Sequence, residues 1–169
     1  MCRAAVEIDS YALEFVPDDL KTPELCQFAV EKNGGALQYV PAEFITADLC
    51  DKAIKSNGDA IQYIPEQFRA AKHWYAAIAQ SGYWLKELPK PLLTEEICVL
   101  AISNNGSALE YVPEKFKTKK ICFAAVRQDR YALKFVDVGL LTAEEYTEIC
   151  RLAFEREKII ASYGVKEKL

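Results

Sequence analysis

The sequence predicts an all-α solenoid built from about six helix-turn-helix repeats of 24 residues, and two observations indicate this fold class. First, cysteines lie at positions 2, 26, 50, 98, 122 and 150, so most successive spacings are 24 or twice 24. Trp74 takes the missing position, and the last spacing of 28 indicates a four-residue insertion. Second, one phrase recurs as NGGALQYVPAEF from Asn33, NGDAIQYIPEQF from Asn57 and NGSALEYVPEKF from Asn105. Units this short cannot bury their own apolar faces, so they must stack on one another.

The composition indicates a folded chain and excludes several functional classes. Of the 169 residues, 51% are hydrophobic, which is enough for a core and is not typical of disordered chains. The formal net charge is −4 and the basic residues are scattered, whereas nucleic-acid binding needs a concentrated basic surface. No apolar run approaches the roughly 18 residues that cross a bilayer, and the first residues do not resemble a signal peptide. We therefore expect no nucleic-acid partner and no membrane span.

The first half of each unit predicts an amphipathic helix. In the second unit, Thr22 is the expected N-cap, Pro23 fits the first helical position and Glu24 places an acid in the first turn. Apolar side chains then follow with helical spacing, at Leu25, Cys26, Ala29 and Val30. We expect Gly34 to supply the left-handed residue that ends this helix.

The second half of each unit predicts another helix that ends at a proline. Apolar residues again fall in adjacent pairs, in the letters AL and YV of ALQYVP, which begins at Ala36. Pro41 ends the segment, because the residue before proline resists the α region, and it sets a turn that returns Phe44 to the core. A leucine-rich repeat has a similar length and would make LQYV a strand. The adjacent apolar pairs and the missing leucine ladder favour paired helices.

Together these signals predict one α-solenoid domain over residues 1–169. The repeats are expected at about residues 1–22, 23–46, 47–70, 71–94, 95–118 and 119–142. A longer helix over about residues 143–163, closed by Gly164, should cap the array. Because Met1 aligns with Leu25, the first repeat lacks its Thr cap, which favours a fragment of a longer array.

The phrase AV-x-x-N-G-x-A-L-x-Y-V-P-x-x-F resembles a bacterial family of short helical tandem repeats that is known only as a domain of unknown function. The resemblance covers residues 1 to about 137, and it implies an all-helical array that is often part of a longer protein. It implies no activity. The unit HWYAAIAQSGYWLKELP and the segment from Asp137, where Asp replaces the Pro, depart from the family pattern.

The six cysteines favour a structural interpretation over metal or disulfide chemistry. Each lies in the same helical slot before an Ala-containing apolar pair, where Cys packs as a small hydrophobe. No C-x-x-C pair exists, and His73 is the only histidine. Stacked helices would hold neighbouring cysteines about 8–10 Å apart, which is too far for a disulfide. We therefore expect no metal, no cofactor and a reducing compartment, either the cytoplasm or a host cytosol.

Repeat four, over residues 70–93, departs most from the consensus. Trp74 replaces Cys and Trp84 replaces Ala, while Glu87 replaces the aromatic residue and His73 replaces an aliphatic one. One interpretation is a structural exchange, in which the indoles fill space and His73 is a satisfied core residue. The alternatives are a ligand or partner pocket that contains His73, Trp74, Tyr75, Tyr83 and Trp84, and a small-molecule or enzymatic site that uses His73, Tyr75, Trp84 and Glu87. No acid or nucleophile has the spacing of a catalytic motif, so we expect no enzyme.

A stripe on the first helices offers another candidate site. The residue after the Cys slot and the residue four positions later share the outward face of each first helix. This face is polar in repeats one to three but carries Tyr75, Val99 and Phe123 in repeats four to six. Apolar residues at solvent positions mark a contact surface. Two alternatives stay open, because either a partner or the C-terminal helix could cover the stripe.

We expect a non-catalytic helical-repeat scaffold that binds a protein or peptide partner along one face. The predicted partner-binding residues are Tyr75, Val99, Phe123, Tyr83 and Arg127. One alternative is the small-molecule or enzymatic site of repeat four. The other is an accessory segment of a larger secreted effector that works in the host cytosol. The sequence leaves the oligomeric state open.

Overall fold

The computed structural model describes the backbone of residues 2–162 and the side chains of residues 2–154, so the predicted closure at Gly164 lies outside it. Within that part of the chain every regular element is helical, and the predicted all-α tandem repeat is confirmed. The chain divides into two compact units, Met1–Ser81 and Gly82–Leu169. Among the described helices, none combines the length and the apolar character that crossing a bilayer requires.

Each repeat begins with an α-helix, as the Thr caps and apolar stripes predict. Thr22 Oγ1 accepts a hydrogen bond from the Leu25 amide at 3.3 Å, which satisfies one of the free N–H groups of the first turn. The first unit contains α1 Cys2–Ile8, α2 Pro23–Lys32, α3 Ala47–Ser56 and α4 Ala71–Gln80. The second unit contains α5 Glu95–Asn104, α6 Lys119–Gln128 and the longer α7 Ala143–Ser162.

The second half of each repeat is helical, as predicted, but it is wound as a 3₁₀ helix. In Gly34–Tyr39 the Asn33 side chain accepts the Gly35 amide at 2.9 Å, and the Asn33 carbonyl accepts the Ala36 amide at 2.9 Å. Only six residues separate this cap from the extended Val40 before the proline, and so short a segment suits 3₁₀ winding. The equivalent helices are Ser10–Phe15, Gly58–Tyr63, Gly82–Glu87, Gly106–Tyr111 and Arg130–Phe135.

A three-residue 3₁₀ turn then returns the chain to the next cap. After Pro41 this turn leaves Phe44 half-buried. In the sixth repeat Asp137 stands in place of the proline, and its Oδ1 accepts the Gly139 amide at 2.9 Å, so a side-chain cap starts the turn instead. The turns are Asp18–Leu20, Ala42–Phe44, Glu66–Phe68, Lys90–Leu92, Glu114–Phe116 and Val138–Leu140.

The repeated glycine permits close packing, and the prediction that Gly34 ends the helix in a left-handed conformation is wrong. Asn33 follows α2 with φ −149° and ψ 115°, and Gly34 starts the 3₁₀ helix without a left-handed φ. A Cβ on Gly34 would lie 2.7 Å from the carbonyl carbon of Ala53, which belongs to α3 of the next repeat. Any side chain at this position would therefore push the two repeats apart.

Apolar layers and polar bonds between neighbouring repeats hold the first unit together. The side chains of Leu37 and Ile61, one repeat apart, are buried in its core. The Asn57 amide donates to Asn33 Oδ1 at 3.2 Å, so the helix-ending asparagines of successive repeats are also linked. The Gln80 side chain donates to the Ile54 carbonyl at 2.7 Å and accepts the Gly58 amide at 2.7 Å, which satisfies both ends of its amide group.

The cysteine slot is part of the core in both units. Cys26, Cys50, Cys98 and Cys122 are buried, Cys2 and Cys150 are half-buried, and all six thiols are free. Burial raises the pKa of the four buried thiols, to about 11 for Cys50 and Cys98. These thiols are therefore protonated at neutral pH and pack as small apolar side chains.

Candidate functional site

His73 is a buried residue of the first unit, with 3% of its surface exposed. Its Nδ1 accepts a hydrogen bond from the Ala70 amide at 3.1 Å, and its Nε2 lies 2.7 Å from Asp51 Oδ1 on α3. The Ala70 bond places the ring proton on Nε2, which then donates to Asp51. Both ring nitrogens are thus engaged by the fold, and neither is open to take a proton from a substrate.

The residue at the N-cap of α4 explains why this histidine is there. In α2, α3, α5, α6 and α7 a threonine Oγ1 accepts the amide three residues later, but α4 has Ala70 at this place. The His73 amide instead donates to the Ala70 carbonyl at 3.0 Å, while the His73 ring accepts the Ala70 amide. The two substitutions therefore form one local exchange that keeps the helix start bonded.

The tryptophans of repeat four fill core positions, one in each unit. Trp74 in the first unit is buried with the Arg69 guanidinium 5.9 Å from its ring, and its neighbour Tyr75 is 40% exposed. Trp84 in the second unit is buried, and the Tyr83 ring meets it edge-on at 5.8 Å. The residues of the predicted repeat-four site therefore belong to two units. The first unit contains His73, Trp74 and Tyr75, and the second contains Tyr83, Trp84 and Glu87.

Part of the predicted stripe lies within the second unit. Val99 on α5 and Phe123 on α6 occupy the same position in successive repeats, and these two helices pack against each other. Val99 is 48% exposed, Phe123 is half-buried, and Arg127 is exposed one turn further along α6. Three of the five predicted partner-binding residues therefore lie on two adjacent helices. Tyr83 belongs to the 3₁₀ helix Gly82–Glu87 of the same unit, whereas Tyr75 belongs to the first unit.

An open groove in the second unit was missed by sequence reasoning. This space, the terminal groove, lies between the 3₁₀ helix Arg130–Phe135 and α7 and has a volume of about 550 Å³. Tyr131 is 62% exposed, Phe154 is 59% exposed and Tyr146 is also exposed, so the groove has aromatic walls. Its lining residues are Arg130, Tyr131, Leu133, Lys134, Tyr146, Ala153 and Phe154.

The terminal groove lies beside Arg130, which stands where repeats two to five have glycine. Gly106 starts the 3₁₀ helix of the fifth repeat against the end of α6, and a Cβ there would lie 2.8 Å from the Asp129 amide nitrogen. A side chain as large as arginine excludes a comparably close approach of α7. The space between Arg130 and Ala153 of α7 is the groove.

Two cationic side chains line the terminal groove, and one of them contacts its aromatic wall. The Arg130 guanidinium donates to the Tyr131 hydroxyl at 3.0 Å, and its carbon lies 4.9 Å from the centroid of that ring. Lys134 Nζ lies 4.5 Å from the centroid of Phe135. Cation–π contacts of this kind hold long cationic side chains over aromatic faces. Among the described lining residues, the charged ones are these two cations.

Three departures from the repeat mark this region in the sequence. Arg130 replaces glycine, Asp137 replaces proline, and the spacing from Cys122 to Cys150 is 28 residues. The last two departures are evident from the repeat pattern, but nothing in the spacing links them to Arg130. The width of the groove depends on how far α7 lies from a neighbouring helix, which residue spacing does not specify.

Comparison with known protein families finds a family model that matches the chain. A family model described as a domain of unknown function, DUF4116, matches the chain three times, over residues 1–45, 23–69 and 94–141. The matches follow the tandem arrangement and pass over the divergent residues 70–93. No curated protein and no solved structure matches the chain.

Proposed function

The chain belongs to the family of the domain of unknown function DUF4116, and since that description carries no activity, we propose a function from the structure. The protein is a non-catalytic helical-repeat scaffold that binds a protein or peptide partner through the second unit. The terminal groove, with its three exposed aromatic walls, is the observation that supports this function. The free thiols fit a reducing compartment, and we therefore place the protein in the cytoplasm.

The lining of the terminal groove favours a partner segment with an apolar side chain beside an acidic residue. Tyrosine and phenylalanine supply large, rigid contact area at a low cost in side-chain entropy. Tyr131, Tyr146 and Phe154 offer such area around one concave space. Arg130 and Lys134 add positive charge, which orients an acidic partner and raises its rate of association.

The predicted stripe offers a second surface of similar chemistry in the same unit. Val99 and Phe123 present apolar area on adjacent helices, and Arg127 again adds a cation. Tyr75 and Tyr83 are exposed tyrosines, as a role in contact requires. Partner binding by these five residues stays a prediction, and single substitutions in each surface separate the stripe from the groove.

The small-molecule or enzymatic alternative in repeat four has less support. His73 and Asp51 do line a groove of about 390 Å³ in the first unit. However, both nitrogens of His73 bond to the fold, and Lys72 holds the Asp51 carboxylate at 2.6 Å. A substrate would have to displace these bonds before either group could act on it. No feature of the described residues favours the secreted-effector alternative.

A library of random peptides selected against the immobilised full chain tests the proposed function. We expect selected peptides to bind with micromolar Kd and to lose about tenfold or more in affinity to the Tyr131→Ala variant, because a central aromatic residue dominates such contacts. Phe15→Ala removes an exposed aromatic side chain from the first unit and is the matched control, with wild-type affinity expected. Binding lost only with Val99→Ala or Phe123→Ala would assign the partner to the stripe. A selection that yields no binder would contradict the proposal.

A further inference from the structure

We propose that the terminal groove takes a short acidic segment of a partner chain in the place where a following repeat would put its 3₁₀ helix. The aromatic ring of that segment sits edge-on against Tyr131. The ligand pattern is a small residue, an aliphatic residue, an acid and an aromatic residue, as in the letters ALEF and ALEY of this chain. This inference rests on the proposed function and names the ligand class of the same site.

At two interfaces between successive repeats, an aromatic ring of one repeat contacts an aromatic ring of the next. In the first unit the rings of Tyr11 and Tyr39 meet with centroids 6.2 Å apart and an interplanar angle of 86°. In the second unit Tyr83 and Tyr111 meet at 6.0 Å and 86°. Each pair joins the second residue of one 3₁₀ helix to the last residue of the next. Edge-to-face contact of this kind is a favourable aromatic arrangement.

Tyr131 has the same position in the sixth repeat, as the second residue of Arg130–Phe135. The α-helix of a following repeat is present, because α7 begins after the Thr142 cap and places Ala153 in the groove. In the preceding repeats of this unit the α-helix ends after ten residues and a 3₁₀ helix follows, whereas α7 continues as an α-helix for 20 residues, to Ser162. The terminal groove therefore corresponds to the site of that helix, and the Tyr131 ring is exposed to it.

The other residues that line the groove determine which side chains of the ligand segment bind well. Leu133 and Ala153 provide apolar contacts for the aliphatic residue of the ligand. Arg130 and Lys134 attract an acid that stands next to the aromatic residue. Because these cations are near solvent, the preference for an acidic segment should be modest and should weaken with salt.

The occupant is a flexible segment of another protein and not a second folded copy of this chain. The segment DSYALEFVP, residues 9–17, has the ligand pattern with Glu14 before Phe15. In the folded chain Phe15 is 82% exposed, but Leu13 is fully buried in its own repeat. A folded copy therefore presents the ring without the leucine, whereas a flexible segment presents both.

Fluorescence polarisation with labelled DSYALEFVP and the full chain tests the inference. We expect a Kd of about 10–100 μM at low salt. Affinity should fall about tenfold when alanine replaces the phenylalanine of the peptide, and about tenfold again in the Tyr131→Ala protein with the original peptide. The same peptide with glutamine in place of the glutamate, DSYALQFVP, keeps both aromatic residues and should bind roughly threefold more weakly, with the difference lost at about 0.5 M salt. The Phe15→Ala protein is the matched control and should bind as the wild type does.

Several results would overturn the inference. Two of them are binding of DSYALEFVP that is unaffected by Tyr131→Ala, and equal binding of the two peptides at low salt. Dimerisation in light scattering that both Tyr131→Ala and Phe15→Ala abolish would assign the groove to a second copy. Binding that appears only after deletion of residues 163–169 would assign it to the chain's own C-terminus. If library peptides of another pattern bind through Tyr131 and DSYALEFVP does not, the proposed function stands and this inference fails; if neither binds, both fail.

Discussion

Replacing Gly106 with alanine tests the close approach of neighbouring repeats in the second unit. The added Cβ would lie 2.8 Å from the Asp129 amide nitrogen and would overlap the Ala125 carbonyl oxygen. Both are backbone atoms, so α6 itself must move to relieve the overlap. Overpacking of this kind costs about 1–3 kcal/mol, while the reduced freedom of the unfolded chain returns about 0.4–1 kcal/mol. We expect a net loss of about 1–2 kcal/mol in the free energy of unfolding.

Urea unfolding followed by circular dichroism measures this loss. With a slope near 2 kcal/mol per molar urea, the midpoint should fall by about 0.5–1 M and the slope should not change. Arg130→Ala is the matched control, because the same position in the next repeat lies beside the terminal groove, and losing the contacts with Tyr131 should cost less than the backbone overlap at Gly106, about 0.5–1 kcal/mol. A Gly106→Ala variant as stable as the wild type would contradict the close approach. Equal losses in both variants would contradict the explanation of the groove.

Three further predictions concern the first unit and the thiols. Ala70→Thr added to His73→Leu should raise the free energy of unfolding by about 1 kcal/mol, because it supplies the cap of the other repeats; an unchanged thermal midpoint would argue against the exchange. Hydrogen bonds from Lys72 and His73 hold the pKa of Asp51 below its ordinary value. The Asp51 contribution is therefore present above the ordinary carboxyl pKa and lost as pH falls through the lower folded-state pKa. Asp51→Asn should accordingly lower stability at neutral pH and flatten the acid limb of the urea midpoints measured down to about pH 3, and an identical profile would count against this ion pair. Cys2 and Cys150 should react with a thiol reagent before Cys26, Cys50, Cys98 and Cys122, because burial raises the pKa of those four; equal rates would contradict their burial.

Local signals predicted the α-helices well. Thr22, Pro23 and Glu24 act within one turn of the chain, so their effect does not depend on what packs nearby. The 3₁₀ winding was harder to predict from the sequence, because adjacent apolar pairs suit both α-helices and 3₁₀ helices. The short interval between Asn33 and Pro41 is the feature that could have distinguished them.

Features that depend on a neighbouring repeat could not be predicted in the same way. A glycine after a helix usually indicates a left-handed end, but at Gly34 the nearby backbone of Ala53 decides the residue type. In the sequence His73 is a single substitution. Its structural role depends on hydrogen bonds with Ala70 and with Asp51, which lies on another helix. Likewise, Arg130 indicates a change in packing only if the glycine that it replaces is known to contact the next helix.

The 3₁₀ winding in the second half of each repeat affects how many repeats a chain of given length can contain. A 3₁₀ helix advances about 2.0 Å per residue against 1.5 Å for an α-helix, so six residues extend roughly 12 Å. That length is close to the roughly 15 Å of the ten-residue α2. The α-helix and the 3₁₀ helix of one repeat therefore have similar lengths, and the 24-residue repeat is shorter than a repeat with two α-helices of this length would be. A gene of modest size can therefore encode many modules, each with its own outward positions free to mutate without disturbing the shared interior.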